Sequence, residues 1–213
     1  MSASRLILLS GFEPFGGSDR NPSAELAALL AGAEIGPFRI ETLTLPVVTV
    51  AAGDRLEEAI DRLDPEFVVS TGEDGNASAI RVERVAVNRR DFSLADNSGA
   101  VCRGLPVVEG GPESLATTLP VAQLVAASLS RGVPAEPSDS AGTYLCNEVK
   151  YRILHRLQEE PRRRGGFIHV PRLPAQARTS RGGTPMPIER TLEGLRAMIE
   201  ALAEADDAPE SLA

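Results

Sequence analysis

Cys146 and His169 are the two residues whose types and placement could form a nucleophile and its base. The sequence holds two cysteines, Cys102 and Cys146, and two histidines, His155 and His169. A thiol nucleophile needs a base, and imidazole is the usual one. Leu145, Val149, Ile153 and Leu157 recur every four residues, which predicts a helix over residues 143–158 with Cys146 in its first turn. There the aligned peptide dipoles and unpaired N–H groups favour an anion, either a thiolate or a developing oxyanion. His155 lies nine residues further along the same helix. Nine residues turn through about 900°, so its side chain leaves from the opposite face, roughly 13 Å along the axis. His155 is therefore a surface residue, and His169 is the remaining base. Each choice has a plainer alternative: a helical cysteine is often a small buried hydrophobe, and a strand histidine is often a satisfied core residue.

A Cys–His pair works better when a third group orients the imidazole. Glu73, Asp74, Glu83, Asp91 and Asp96 are the candidate carboxylates, and spacing does not choose among them. Residues Gly11-Phe12-Glu13-Pro14-Phe15-Gly16-Gly17-Ser18 approach a phosphate-binding loop but carry Gly17 where that chemistry requires Lys. The glycines are also wrongly spaced for a dinucleotide turn. Phe12 and Phe15 would suit a small apolar ring, or would pack in the core. No Cys/His spacing fits zinc, so no metal or cofactor is expected. Cys102 has no partner motif and is read as structural or merely exposed.

The surrounding elements place these residues. Arg5–Ser10 and Glu66–Ser70 read as buried strands ended by Gly11 and Gly72. Gly166–Val170 is another, stopped by Pro171. Phe38–Leu45 alternates as a strand. Asn21-Pro22 is an N-cap and first-turn pair opening a helix that stops at Gly32. Leu56, Ile60 and Leu63 mark a second helix, residues 121–131 a third, and Ile188 to Leu202 the last. Residues 79–88 are extended, but the alternation slips at Arg84-Val85, which predicts a bulge or bend. Residues 89–120 form a long folded loop with one hairpin, residues 135–140 a short strand, and residues 204–213 a frayed acidic tail. Strands alternating with amphipathic helices give the fold class: α/β, a single domain over 1–213, with a mainly parallel twisted central sheet flanked by helices on both faces. In such folds ligands bind beyond the C-terminal strand ends. That rule selects Gly11–Gly17, Gly72–Asn76, the segment entering the helix at Cys146, and His169–Pro171.

Composition narrows the function classes. The chain has 213 residues, 42% hydrophobic and 24% charged, with a net charge of -8. An acidic surface repels phosphate backbones, so nucleic acid is not an expected partner. The longest apolar run near the N-terminus, Leu6–Leu9, is far too short to span a membrane or to form a signal-peptide core. Reduced thiols and a cytoplasmic location are the corresponding expectation.

The residues singled out fall in segments that resemble the pyroglutamyl peptidase I (pyrrolidone-carboxylate peptidase) family of cysteine peptidases. The segments are Gly11–Gly17 with Asn21-Pro22-Ser23, Glu83–Asn88, Asp96-Asn97 with Gly110–Glu113, Ser140–Asn147, and Gly166–Pro171. They run in the family's order from about Leu6 to Leu202. The resemblance implies a catalytic triad of Glu83, Cys146 and His169, and it supplies the acid that spacing could not choose. It also implies that Phe12 and Phe15 flank the lactam of an N-terminal pyroglutamate, with Asn21 and Glu73 beside it. The implied substrates are pyroglutamyl peptides, cleaved through a thioester, and the implied assembly is a homo-oligomer, tetramer or dimer. Two departures stand out. Many relatives carry Gln where this chain has Glu73, and a carboxylate cannot donate to the lactam oxygen unless protonated. Many also carry Arg where this chain has Ser93. The alternatives are a related Cys-dependent amidase with altered acyl specificity, or a binding homologue without turnover.

Overall fold

Alternation along the first strand decides how the layers stack. In the computed structural model, which describes residues 5–179 and 182–206, strand β1 is Arg5–Phe12. Its Ile7 and Leu9 enter one hydrophobic core and its Leu8 and Phe12 enter another, on the opposite face of the sheet. Both faces are therefore covered by helices, as a buried, largely parallel sheet requires.

Element order follows the alternating pattern. After β1 come α1 (Pro22–Leu30), β2 (Glu34–Ile35), β3 (Phe38–Leu45), α2 (Ala51–Leu63) and β4 (Phe67–Asp74). Then come β5 (Ile80–Glu83), β6 (Val85–Val87), β7 (Ser114–Ala116), α3 (Val121–Ser130) and β8 (Ala135–Ser138). The chain continues with α4 (Leu145–Leu157), β9 (Arg164–Pro171), a 3-10 turn (Pro174–Thr179) and α5 (Ile188–Asp206). Seven strands form one sheet in the order β2-β3-β1-β4-β9-β5-β8. Side chains of α1, α3 and α5 pack on one face, those of α2 and α4 on the other.

The chain departs from its sequence pattern in five places. Strand β5 runs antiparallel to β9, although β8 on its other side is parallel to it. The slip at Arg84 is a true break: β5 stays in the main sheet, while β6 pairs with β7 in a separate two-stranded ribbon. Residues 89–120 consequently hold no self-contained hairpin; β7 reaches back to β6, and Arg90 and Leu105 share one isolated bridge. Strand β2, too short to show a period, turns through Gly36 (φ +56°) onto β3. Helix α5 runs to Asp206, so the acidic tail does not begin at residue 204. Alanine and glutamate are good helix formers and carry the helix on; residues 207–213 of that tail lie outside the described residues. Among the described residues, no helix is long and apolar enough to cross a membrane.

Candidate active site

Strand register brings the acid to the base. In the antiparallel β5–β9 pair Arg81 faces His169 and Glu83 faces Phe167. Glu83 and His169 are thus diagonal neighbours on one face, within reach of long side chains. His169 Nδ1 lies 2.8 Å from Glu83 Oε1. Both residues are buried, and the His169 ring meets Phe167 edge-on with centroids 4.9 Å apart.

On the other side of β9, Gly72 of β4 stands opposite His169. A Cβ added at Gly72 would lie 3.0 Å from Cys146 Sγ and 2.7 Å from Cζ of Phe167. Only glycine leaves room there for the thiol to approach the sheet.

Cys146 is the second residue of α4. Tyr144 occupies the N-cap position, and its hydroxyl donates to the Ala95 carbonyl at 3.3 Å rather than capping the helix, so no side chain at the N-cap takes up the first-turn N–H groups. Asn147 locks this turn to β6, accepting from Val87 N at 2.9 Å and donating to the carbonyls of Val87 (2.8 Å) and Arg89 (3.0 Å). Cys146 acts on the His169 ring from the start of α4, and Glu83 holds it from β5. Burial works against the imidazolium. The charge and hydrogen bond of Cys146, then those of Glu83, outweigh it and push His169 up to about 10. The geometry gathers a thiol, an imidazole and a carboxylate in one line, with helix N–H groups beside the sulfur.

The other candidate carboxylates have different partners. Glu73 accepts from Arg172 Nε at 2.7 Å and from Gln176 Nε2 at 2.9 Å. Asp74 accepts from Arg81 at 2.6 Å. The hydrogen bond from Arg89 holds Asp91 below its usual range. Burial opposes the Asp96 charge, yet bonds from Thr49, Ser98 and Ala100 keep that carboxylate low. His155 lies on α4 away from the site and stacks on Tyr151, centroids 6.0 Å apart. Cys102 is buried in the α2–α4 core. Ser93 is exposed in the loop after Phe92.

A shallow pocket opens beside Cys146, lined by Phe12, Phe15, Asn21, Val47, Glu73, Tyr144 and Leu145. All four predicted binding residues line it. Phe12 is 3% exposed in the core and also forms part of the pocket wall. Phe15 is half-buried and leans on Tyr144, centroids 6.3 Å apart. Asn21 caps α1 with its oxygen (Ser23 N, 3.0 Å) and donates to the Glu13 carbonyl at 3.0 Å, which fixes the glycine-rich turn. Sequence reasoning missed Tyr144, Arg172 and Gln176. Tyr144 is pushed up to about 12, chiefly by burial, then by the Asp96 and Cys146 charges, so it enters the site as a neutral ring. Nothing in the local pattern marks Arg172 or Gln176, because only the turn after β9 brings them over Glu73. Among the described residues, no group of three or more His, Cys, Asp or Glu converges as a metal site would require.

The family model described as pyroglutamyl peptidase matches residues 5–205. The chain belongs to the pyroglutamyl peptidase family. A pyrrolidone-carboxylate peptidase of Cupriavidus necator is 42% identical over 197 residues, 92% of this chain and 91% of that one. One from Klebsiella pneumoniae is 42% identical over 193 residues, 91% of this chain and 90% of that one. The crystal structure of Bacillus amyloliquefaciens pyroglutamyl peptidase I superposes with a TM-score of 0.91 at 32% identity, over 96% of this chain and all 100% of that chain. The fold class expected from the sequence, an α/β sheet mainly parallel and covered on both faces, is that of the family.

Proposed function

We propose that this chain removes N-terminal pyroglutamate from peptides with Cys146 as nucleophile, His169 as proton carrier and Glu83 as the group that orients His169. Family membership supports the reaction. One observation carries the assignment of roles: the buried His169 ring is bonded to Glu83 at 2.8 Å, and Cys146, in the first turn of α4, acts on the same ring.

The Cys146 thiolate attacks the carbonyl carbon that joins pyroglutamate to the next residue. First-turn N–H groups of α4 receive the oxyanion, a contribution worth about 3–4 kcal/mol per donor in other enzymes. His169, held as imidazolium, donates its proton to the leaving amine as the C–N bond breaks. The neutral imidazole then takes a proton from water, whose oxygen attacks the thioester. Pyroglutamate leaves as the carboxylic acid and the thiolate is restored. Glu83 fixes the ring through Nδ1, so that Nε2 serves the reacting atoms.

The pocket suits the lactam. Phe12, Phe15, Val47, Tyr144 and Leu145 offer apolar walls to an uncharged ring. Arg172 neutralises Glu73, whose remaining lone pairs accept from the lactam N–H. An ordinary N-terminus would bring a desolvated ammonium into this slot at a cost of several kcal/mol. The free thiols of Cys102 and Cys146 fit a reducing, cytoplasmic setting.

The test is product analysis by mass spectrometry on one peptide synthesised with N-terminal pyroglutamate, glutamine or proline. Release of pyroglutamate from the first alone is expected. Equal cleavage of all three, or of none by folded protein, would overturn the assignment.

A further inference from the structure

One buried charge takes no part in the chemistry above. Lys150 is the only lysine in the sequence, and it is 0% exposed. It stands one turn beyond Cys146 on α4, so the two side chains leave the helix from the same face. Among the described residues its Nζ has no hydrogen-bond partner, and neither does the second carboxylate oxygen of Glu83, Oε2. A buried ammonium and a buried carboxylate oxygen thus each lack a partner of their own, and the Glu83 charge acts on the ammonium. Removing an ion from water costs several kcal/mol unless an opposite charge is near. Two carboxylates act on this ammonium, Glu83 and Asp139. Asp139 follows β8, is exposed, and is held by Arg84 through bonds of 2.7 and 2.6 Å. Glu83 is the buried one. The charges of the reacting group also need balancing. A carboxylate, an imidazolium and a thiolate leave one net negative charge inside the protein, and a lysine ammonium cancels it.

We propose that Lys150 is a positioning residue for the reaction, the buried counter-charge that keeps Glu83 aimed at His169. It acts through Glu83 and touches neither substrate nor reacting atoms. The proposal rests on the roles given above to Glu83, His169 and Cys146. The charges that act on Lys150 are Glu83 on β5 and Asp139, which follows β8 and is held by Arg84; Cys146 lies one turn back on the same helix face, and His169 is bonded to Glu83.

A pH signature follows. Burial lowers Lys150 to about 8, against the upward pull of Glu83 and Asp139. Above that pH the ammonium is lost and the site becomes net negative. A more negative site binds the His169 proton more tightly and slows its transfer to the leaving amine. Activity therefore falls on an alkaline limb near pH 8, ahead of the loss of the His169 proton itself at about 10.

Because Lys150 is the single lysine, protein labelled with 13C/15N-lysine gives one side-chain resonance with no assignment problem. In wild type it is expected to titrate near pH 8, and in Glu83→Gln lower still, by roughly one pH unit. A midpoint near the ordinary value of about 10.4, or one that Glu83→Gln leaves in place, overturns the proposal. This arm needs no substrate, so it is decided separately from the peptidase reading, and it needs no variant of Lys150 to fold. The second arm compares Lys150→Met and Lys150→Arg by kcat and KM on a pyroglutamyl substrate across neutral and alkaline pH. Lys150→Met is expected to lose about tenfold in kcat, the equivalent of one pKa unit, with KM held and the limb near pH 8 gone. Lys150→Arg keeps the charge and stays closer to wild type. A Lys150→Met enzyme with wild-type kcat and an unchanged alkaline limb overturns the proposal.

Discussion

Gly72→Ala perturbs the site by one methyl group, and its cost can be worked from distances. The new Cβ would lie 2.7 Å from Phe167 Cζ, 3.1 Å from Phe167 Cε1 and 3.0 Å from Cys146 Sγ. Carbon atoms in good contact sit about 3.5–4.0 Å apart, so the shortfall against Phe167 is about 1 Å. Phe167 cannot simply swing away. It is 0% exposed, with its ring centroid 4.9 Å from that of His169 and 6.4 Å from that of Phe12. The strain is therefore shared between Phe167, which carries His169 with it, and Cys146. Overpacking of this kind costs about 1–3 kcal/mol of stability, and displacing reacting groups by about 1 Å costs on the order of 100-fold in rate. Urea unfolding with kcat on pyroglutamyl-aminomethylcoumarin measures both. Gly36→Ala is the control: its Cβ meets nothing within 4 Å, but φ is +56°, so it should lose about 1–2 kcal/mol of stability and no kcat. A Gly72→Ala enzyme with kcat within threefold of wild type, a rise of roughly 0.6 kcal/mol in barrier height or less, would refute this reasoning about how the thiol is seated.

Three further outcomes follow from the same geometry. Glu83→Gln removes the charge behind His169 and should lower kcat by about 10²–10⁴ with little change in KM, in line with the analogous change in a serine protease triad; a loss below tenfold would contradict the role. NMR of the His169 ring should show an imidazolium persisting well above pH 7, with a lower midpoint in Cys146→Ala; a wild-type midpoint near the ordinary 6.5 would contradict the assigned partners. Because the folded value is raised, the stability His169 adds is full below about pH 6.5 and is lost as pH climbs toward 10. Glu73→Ala removes the acceptor facing the pocket, so KM should rise by about 10–100-fold with kcat less affected; an unchanged KM would remove Glu73 from lactam binding.

Much of this site can be read in the sequence because its parts sit at strand ends and a helix start, which leave local signals. Gly11 and Gly72 lie just inside the ends of β1 and β4, which run on to Phe12 and Asp74, while Pro171 does end β9; the four-residue repeat from Leu145 places Cys146 in a first turn. The helix geometry that sets His155 aside holds, since α4 is continuous from Leu145 to Leu157. The carboxylate is not legible from spacing. Glu83 reaches His169 only because β5 inserts antiparallel beside β9, and strand direction leaves no trace in a four-residue run. The family resemblance named Glu83 where periodicity could not. Arg172 and Gln176 reach Glu73 through a turn whose conformation has no period, and Lys150 sits on an otherwise ordinary helical pattern. The β6–β7 ribbon pairs the end of an extended segment with a strand from the long loop region, a pairing that no local pattern marks.

The central claim is that Cys146 carries turnover of pyroglutamyl amides. Hydrolysis of pyroglutamyl-aminomethylcoumarin under reducing conditions, by wild type and by Cys146→Ser, tests it most directly. Release of the fluorophore by wild type, abolished in a folded Cys146→Ser, is the predicted result. Release that survives the substitution would contradict the nucleophile, and its absence in folded, reduced wild type would contradict the reaction.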